Sequence, residues 1–149
     1  MKKIELNKYA LDVAQKAFQK KGFNIEESPV SIGQVNFLAV SKNGRRLKIK
    51  VRTSSKSNSN IFIEKTKFAI EDPDLYMAFL YLPDDDTQTI YLIPATEWGK
   101  HVYPFRGKNY DRPGLKSNAE WGFSFSPKSK EALESYRFDK MIDDMIFSG

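Results

Sequence analysis

The spacing of apolar residues between Leu6 and Lys21 predicts the first helix. They recur three or four positions apart, as on one face of an amphipathic helix. The apolar positions are Leu6, Tyr9, Ala10, Val13, Ala14, Ala17 and Phe18. Gly22 follows directly, and glycine is typical of the residue just past a helix end. The pattern therefore predicts a helix over 6–21 with one buried face.

Short apolar or alternating runs predict the strands. The runs are FNIEESPV, which Pro29 interrupts, QVNFLAVS, GRRLKIKVRT, DLYMAFLYL and TIYLIPA, in which Pro94 ends the strand. QVNFLAVS is apolar enough to be buried on both faces of a sheet. SKNG at 41–44 joins the second and third runs, and its Asn-Gly pair is typical of a tight two-residue turn with positive φ angles. These runs predict a sheet of about five strands.

The remaining segments are polar or irregular until the last part of the chain. Residues 54–60, SSKSNSN, have no periodicity and predict a loop. A short helix is predicted around TEWGKHV, and residues 103–126 form an irregular, aromatic-rich segment. Helical spacing returns from Pro127 and predicts a C-terminal helix. We therefore predict one domain over 1–149, of α/β class, with a mixed sheet flanked by an N-terminal and a C-terminal helix.

Composition and charge narrow the possible partners. The chain has 149 residues with 24 Lys and Arg against 19 Asp and Glu, a net charge of +5 that favours polyanions such as DNA or RNA. It has no cysteine, which excludes disulfides and thiolate metal sites and is typical of the cytoplasm. No window approaches the roughly 20 apolar residues that a membrane span needs. We expect a cytoplasmic protein with no membrane contact.

Common catalytic and nucleotide-binding motifs are missing. His101 is the one histidine, so it cannot anchor a zinc site without cysteines, and no serine lies in a nucleophile-elbow context. The glycines are scattered and form no phosphate-binding loop, so we expect no nucleotide cofactor. Asp84, Asp85 and Asp86 are consecutive in a connection between strands, which favours a solvated turn over a cation site.

The third predicted strand places three cations on one face. Side chains alternate along a strand, so the apolar Leu47, Ile49 and Val51 point one way and the cations the other. The cations are Lys48, Lys50 and Arg52. Like charges so placed repel one another, and either water or an anionic ligand must compensate. The sequence leaves both interpretations open: a solvated face or a set of phosphate contacts.

The aromatic-rich segment also has two interpretations. Its aromatics are Tyr103, Phe105, Tyr110, Trp121, Phe123 and Phe125, interleaved with Arg106, Lys108, Arg112 and Lys116. Such a mixture can stack on bases. The alternation in WGFSF instead favours a strand that packs one face inward, so that the segment carries its own small core. If the chain binds another protein, Trp98 and Trp121 are the candidate anchors.

The segment VNFLAVSKNGRRLKIKVRT, together with QKKGF at the end of the first helix, resembles the PD-(D/E)XK nuclease superfamily. DLYMAFLYL and YLIPATEW resemble that family's later strands and the start of its next helix. The resemblance implies a restriction-endonuclease-like fold. In the family, an aspartate and a glutamate or glutamine bind Mg²⁺, and a lysine two residues further on orients or deprotonates the attacking water.

This chain departs from that signature at all three positions. Asn36 replaces the aspartate, Lys50 the glutamate or glutamine, and Arg52 the lysine. Asp, Glu and Lys sum to a charge of −1, whereas the residues present sum to +2. Mg²⁺ is held by carboxylates and substrate oxygens, and a guanidinium is a poor base. We therefore expect a catalytically degenerate protein without a cofactor, and Mg²⁺ only if the chain is an active endonuclease.

The resemblance and the charge together predict binding of nucleic-acid phosphates without cleavage. The expected contacts are Arg45, Arg46, Lys48, Lys50, Arg52 and Lys56. Two alternatives stay open. One is a protein-interaction or regulatory module derived from a nuclease. The other is a divergent metal-dependent nuclease with relocated carboxylates, for which the candidates are Asp12, Glu26 and Glu64.

Overall fold

A computed structural model of the chain describes residues 3–28, 35–85, 87–108 and 119–148. The helices are α1 (Lys3–Lys20), α2 (Pro127–Leu133) and α3 (Phe138–Ser148). The strands are β1 (Asn24–Glu27), β2 (Phe37–Val40), β3 (Arg46–Ser54), β4 (Ser59–Glu64), β5 (Leu75–Tyr81), β6 (Thr89–Pro94), β7 (Phe105–Lys108) and β8 (Glu120–Phe125). Short 3-10 helices cover Lys65–Lys67, Ala95–Lys100 and Glu134–Tyr136.

Five strands form the central sheet, in the order β1-β2-β3-β5-β6. β3 and β5 run parallel, and the other neighbouring pairs are antiparallel. The prediction of a mixed α/β chain with a five-stranded sheet, an N-terminal helix and a C-terminal helix is confirmed. β2 has three consecutive buried residues, so its predicted burial on both faces is also confirmed.

Helices α1 and α3 cover one face of the central sheet and enclose what we call the helix-side core. Phe18 of α1 is fully buried there and makes edge-to-face contacts with Phe37 of β2 and Phe138 of α3. Leu47 and Ile49 of β3 point into the same core. The alternation of β3 and the apolar stripe of α1 were predicted correctly, apart from Tyr9, which is 40% exposed. Gly22, just past α1, has φ +88°, which suits a residue that ends a helix.

The other face of the central sheet is partly covered by a small antiparallel sheet in the order β4-β8-β7. The sheet-side core lies between the two sheets and contains Phe79, Trp98, Phe123 and Phe125. The inward-packing strand predicted from WGFSF is β8, and its Phe123 and Phe125 are buried. The prediction of a core belonging to this segment alone was wrong, because these side chains share the sheet-side core with Phe79 of the central sheet.

Two loop predictions were wrong in part. Residues 54–60 include the end of β3 at Ser54 and the start of β4 at Ser59, so only 55–58 lie outside strands. Within 103–126, β7 and β8 are regular, and 109–118 lie outside the described residues. The polar residues that begin β4 concealed its alternation, in which Ile61 and Ile63 are buried.

The predicted two-residue turn between β2 and β3 was also wrong. The Ser41 amide donates to the Arg45 carbonyl at 2.9 Å, which leaves residues 42–44 in the loop. Only Gly44 has a positive φ, of +88°. The Asn43 side chain accepts a hydrogen bond from the Arg45 amide at 3.2 Å. The result is a three-residue loop with glycine in the left-handed position.

The predicted C-terminal helix is broken in two. After α2 and a 3-10 turn, Arg137 is extended, with ψ 136°, and forms a bridge to Tyr91 on the edge strand β6. Leu133 belongs to the sheet-side core, whereas Phe138 and Ile142 belong to the helix-side core. The chain must bend at Arg137 because it passes around the edge of the central sheet from one core to the other.

Candidate functional site

The three cations of β3 lie on the face of the central sheet opposite Leu47 and Ile49. Lys48, Lys50 and Arg52 are each half-buried rather than fully exposed. Contacts to β4 and to the segment that connects β4 with β5 account for part of this burial. The face is therefore not a flat solvated surface along its whole length.

Asn36 lies directly before β2 and completes its pairing with β3. Its amide donates to the Ile49 carbonyl at 2.8 Å, and its Oδ1 accepts a hydrogen bond from the Val51 amide at 2.7 Å. The side chain thus replaces a backbone carbonyl at the point where β2 begins. Because Phe37 pairs with Ile49, position 36 lies across from Lys50. The three positions of the nuclease signature therefore lie on two neighbouring strands.

Arg52 joins the two sheets through the Phe62 carbonyl, and it also contacts the carbonyl of its neighbour on β3. Its Nε donates to the Phe62 carbonyl of β4 at 3.2 Å, and its Nη1 donates to the Val51 carbonyl at 3.0 Å. Burial lowers the pKa of Arg52, but a guanidinium keeps its proton at neutral pH. None of the described carboxylates forms an ion pair with it. Arg52 is thus a half-buried cation held by neutral acceptors.

Lys50 is the most perturbed cation of the site. Burial, followed by the charges of Arg52 and Lys67, lowers the pKa of Lys50 from 10.5 to about 8. Its side chain has no ion pair or hydrogen bond within the described part of the chain. Lys67 comes from the 3-10 helix after β4, and its Nζ lies 3.7 Å from Glu64. We call Asn36, Lys50, Arg52 and Lys67 the Lys50 site.

Three of the other predicted phosphate contacts are already paired with carboxylates. The pairs are Arg45 with Asp74 at 3.2 Å, Arg46 with Glu26 at 3.4 Å, and Lys48 with Asp72 at 2.7 Å. Lys56 is exposed in the 55–58 connection, where its backbone contacts Ser54. The six cations predicted from the sequence thus divide into paired residues at the start of β3, the Lys50 site, and an exposed lysine beyond its end.

The carboxylates proposed for a relocated metal site are not brought together. Asp12 is on α1, across the central sheet, Glu26 of β1 pairs with Arg46, and Glu64 ends β4 beside Lys67. Within the described ranges, no three His, Cys, Asp or Glu side chains form a group that could hold a metal ion. The Lys50 site supplies one amide and three cations, a donor set that does not fit Mg²⁺.

Most of the aromatic residues proposed as a partner-binding surface are buried. Trp98 is only 1% exposed, and its indole N–H donates to the Gly122 carbonyl at 3.0 Å, so its prediction as an exposed anchor was wrong. Trp121 is half-buried with Lys65 Nζ 4.0 Å from its ring centroid. Phe105, like the β8 phenylalanines, is buried.

The rest of the aromatic set does not make a stacking surface. Tyr103 is 52% exposed, and Tyr110, Arg112 and Lys116 lie outside the described residues. His101 is exposed and ends a 3-10 helix with φ 54°. Asp84 and Asp85 lie in a turn as predicted, whereas Asp86 falls outside the described residues.

Two cavities of the described chain lie away from the Lys50 site. One of about 720 Å³ lies between α1, β6 and the start of α3, and one of about 370 Å³ lies between the end of α1, the 41–45 turn and α3. No residue of the Lys50 site lines either of them.

Sequence reasoning missed Lys67. It comes from a different element than β3, and only the path of the chain between β4 and β5 brings its charge close to Lys50. The sequence signal for it was no more than one lysine in a charged stretch, IEKTKF.

The chain matches no protein-family model, no curated protein and no solved structure. None of the helices in the described ranges is long and apolar enough to cross a membrane. The resemblance to the PD-(D/E)XK superfamily therefore stays a prediction that depends on the residues and on the sheet that carries them.

Proposed function

We propose that the chain is a degenerate PD-(D/E)XK protein of restriction-endonuclease-like fold that binds nucleic-acid phosphates at the Lys50 site without cleaving them. Two features of the sheet support the assignment. Asn36 and Lys50 lie across from each other on neighbouring strands, and Arg52 follows two residues along the same strand. The residues at these three positions in the superfamily act on the same metal ion and water, so they need to lie close together.

The observation that carries the proposal is the charge of the site. Lys50 and Arg52 are partly removed from water without a described carboxylate partner, and Lys67 adds a third cation. Buried charges are normally paired. A phosphate oxygen about 4 Å from one of these cations would gain roughly 4 kcal/mol at an effective dielectric of 20. A phosphodiester would therefore relieve the repulsion within the site.

Arg52 is suited to this contact. Its guanidinium has five N–H donors, of which the Phe62 and Val51 carbonyls take two. The remaining donors can form charge-assisted hydrogen bonds with phosphate oxygens. Lys50 is two residues away on the same face, so the two Cα atoms are about 7 Å apart. Long side chains at that spacing can hold one phosphate between them.

The paired cations extend the surface along β3. The ion pairs of Arg45 and Arg46 are exposed and contribute little stability, whereas the Lys48–Asp72 pair is partly buried. Phosphates can replace the carboxylate partners of Arg45 and Arg46, and exposed Lys56 can add a further contact. Backbone contacts of this kind carry little sequence information. With two to four phosphates engaged, the log–log slope of affinity against salt should be about −2 to −4.

The test is a titration of labelled DNA and RNA oligonucleotides, single- and double-stranded, by fluorescence anisotropy over a range of salt. Lys50→Gln should weaken binding and make the salt slope shallower by about 1. Lys140→Gln is the matched control, since Lys140 is exposed on α3 across the central sheet. Absence of binding at low salt, or an equal loss in both variants, would exclude the proposal.

Cleavage separates this proposal from the divergent nuclease. Oligonucleotides and supercoiled DNA are incubated with the protein and Mg²⁺ or Mn²⁺. We expect them to stay intact, because the site offers cations where a divalent metal needs carboxylates. Metal-dependent cleavage that Asp12→Asn, Glu26→Gln or Glu64→Gln abolishes would favour relocated carboxylates instead.

A further inference from the structure

The smaller of the two cavities described above joins an apolar wall to cations. Its volume is about 370 Å³, and it lies between the end of α1, the 41–45 turn and α3. Its apolar side chains are Phe23, Leu47, Met145 and Ile146, and its cations are Lys21, Lys42 and Arg45. None of the described side chains that line it is acidic. Cavities of this size with an apolar wall and a few polar groups are typical of small-molecule sites.

The apolar wall runs from the protein interior to the surface. Phe23 and Leu47 are 6% and 1% exposed and belong to the helix-side core. Met145 packs against the same core and is half-buried, whereas Ile146 is 53% exposed. A ligand with an alkyl chain along this wall would remove Met145 and Ile146 from water. Methionine is flexible enough to adapt to such a chain.

Lys42 is the cation of this cavity that has no carboxylate. Within the described part of the chain, its side chain forms no ion pair. Its Cε and Nζ lie 3.0 Å and 3.6 Å from the point that a Cβ at Gly22 would occupy. The glycine therefore leaves the space in which the Lys42 side chain lies beside the cavity.

Hydrogen bonds hold the turn that carries Lys42. The Gly44 amide donates to the Ser41 carbonyl at 3.0 Å. The Arg45 amide donates to the Ser41 hydroxyl at 3.1 Å and to Asn43 Oδ1 at 3.2 Å, and the Ser41 hydroxyl donates to Asn43 Oδ1. The backbone around Lys42 is thus fixed before any ligand binds.

The other two cations of the cavity are balanced by carboxylates that do not line it. Lys21 Nζ lies 3.4 Å and 3.5 Å from two aspartates of α3. Arg45 Nε donates to Asp74 at 3.2 Å. One positive charge, that of Lys42, is therefore left without a described counter-charge. A ligand with a single negative charge complements it.

We propose that this cavity binds a medium-chain aliphatic carboxylate, with the alkyl chain against Leu47, Met145 and Ile146 and the carboxylate at Lys42. A CH₂ group occupies about the volume of a water molecule in the liquid, roughly 30 Å³. A cavity of 370 Å³ thus corresponds to about twelve heavy atoms, as in decanoate. This site is separate from the Lys50 site, and the inference does not rest on the proposed binding of nucleic acid.

The first test is calorimetric titration with carboxylates of increasing chain length, below their micelle concentrations. From hexanoate to decanoate, affinity should rise about two- to fourfold for each added CH₂, and it should level off at tetradecanoate because the cavity is then full. Decanol should bind about tenfold more weakly than decanoate, since it has no charge for Lys42. A rise that continues unchanged to tetradecanoate, or equal affinities for decanol and decanoate, would overturn the proposal.

Two exposed positions test the head group and the chain separately. Lys42→Gln should weaken decanoate binding about tenfold and leave decanol binding unchanged. Ile146→Glu should weaken decanoate binding by at least as much, because it adds a carboxylate beside the ligand. Lys140→Gln is the matched control, since Lys140 is exposed on α3 and lines the larger cavity instead. Unchanged affinity in Lys42→Gln, or an equal loss in Lys140→Gln, would overturn the proposal.

Methyl resonances of methionine locate the ligand. The chain has four methionines, of which Met145 lines this cavity and Met77 is fully buried in the sheet-side core. In protein labelled with ¹³C at the methionine methyl groups, decanoate should shift the Met145 resonance and leave that of Met77 unchanged. Met145→Leu assigns the resonance. Absence of a Met145 shift at saturating decanoate would overturn the proposal whatever the calorimetry gives.

Discussion

Replacing Lys50 with methionine tests the electrostatics of the site without assuming a ligand. Methionine keeps an unbranched apolar stem and removes the charge. In the folded chain, burial and the charges of Arg52 and Lys67 lower the pKa of Lys50 to about 8, against 10.5 in its ordinary state. The charged lysine is therefore less favourable in the folded protein than in the unfolded chain.

The sign of the pH effect follows from proton binding. Between pH 8 and 10.5 the unfolded chain binds more protons at this position than the folded chain, so the free energy of unfolding rises with pH there. Below pH 8 both states are protonated, and the penalty is complete. A change from 10.5 to 8 corresponds to about 3 kcal/mol at most, and solvent screening reduces it to about 1–2 kcal/mol. Lys50→Met should exceed the parent in stability by that amount at pH 7, and the gap should close by pH 10.5.

The assay is urea unfolding followed by tryptophan fluorescence at a series of pH values. The difference between parent and variant is the informative quantity, because other groups titrate in the same range. Burial raises the pKa values of Tyr76, Tyr91 and Tyr136, so both proteins should lose stability above about pH 10. Lys140→Met, at an exposed position of α3, is the matched control for loss of a lysine charge. The same pH dependence in both variants, a flat difference for Lys50→Met, or a parent more stable than Lys50→Met at pH 7, would refute the reasoning.

Substitutions at three further positions test local features by chemical or thermal unfolding. Asn36→Ala should lower the free energy of unfolding by about 1–2 kcal/mol, since the Val51 amide loses its acceptor. Asn36→Asp should keep this hydrogen bond, and an equal loss of stability in the two variants would contradict the role of Asn36. Gly122→Ala should destabilise the protein by about 1–3 kcal/mol, because the new Cβ would lie 2.7 Å from the Ile61 carbonyl oxygen, and an unchanged melting temperature would argue against that packing. His101→Gly should stabilise it by about 0.5–1 kcal/mol by relieving φ 54°, and a loss would show that His101 makes contacts of its own.

The parts of the fold that the sequence predicted are those with a long, regular pattern. The stripe of α1 and the alternation of β3 each repeat over several residues, and both agree with the burial of Phe18 and Ile49. β4 was missed because Ser59 and Asn60 begin it with polar side chains. The break at Arg137 was missed because it depends on the edge of the central sheet, which no local pattern encodes.

The features of the candidate site also divide into those that a regular pattern predicts and those that depend on distant parts of the chain. The sequence predicted which cations share a face of β3, because alternation decides that. It did not predict which of them would be paired, since Asp72 and Asp74 come from the connection before β5. It also did not predict that Arg52 would donate to the Phe62 carbonyl, because the two residues become neighbours only when the two sheets are assembled.

The hydrogen bond from Arg52 to the Phe62 carbonyl of β4 gives this position a structural role as well, because it connects the central sheet to the small sheet. A lysine there has one nitrogen, whereas the guanidinium reaches both Phe62 and Val51. Asn36→Asp, by contrast, keeps an oxygen that can accept the hydrogen bond from the Val51 amide. Position 36 can therefore change to the aspartate of the nuclease signature without loss of this contact. A change at position 52 removes the contact to Phe62 unless another residue replaces it.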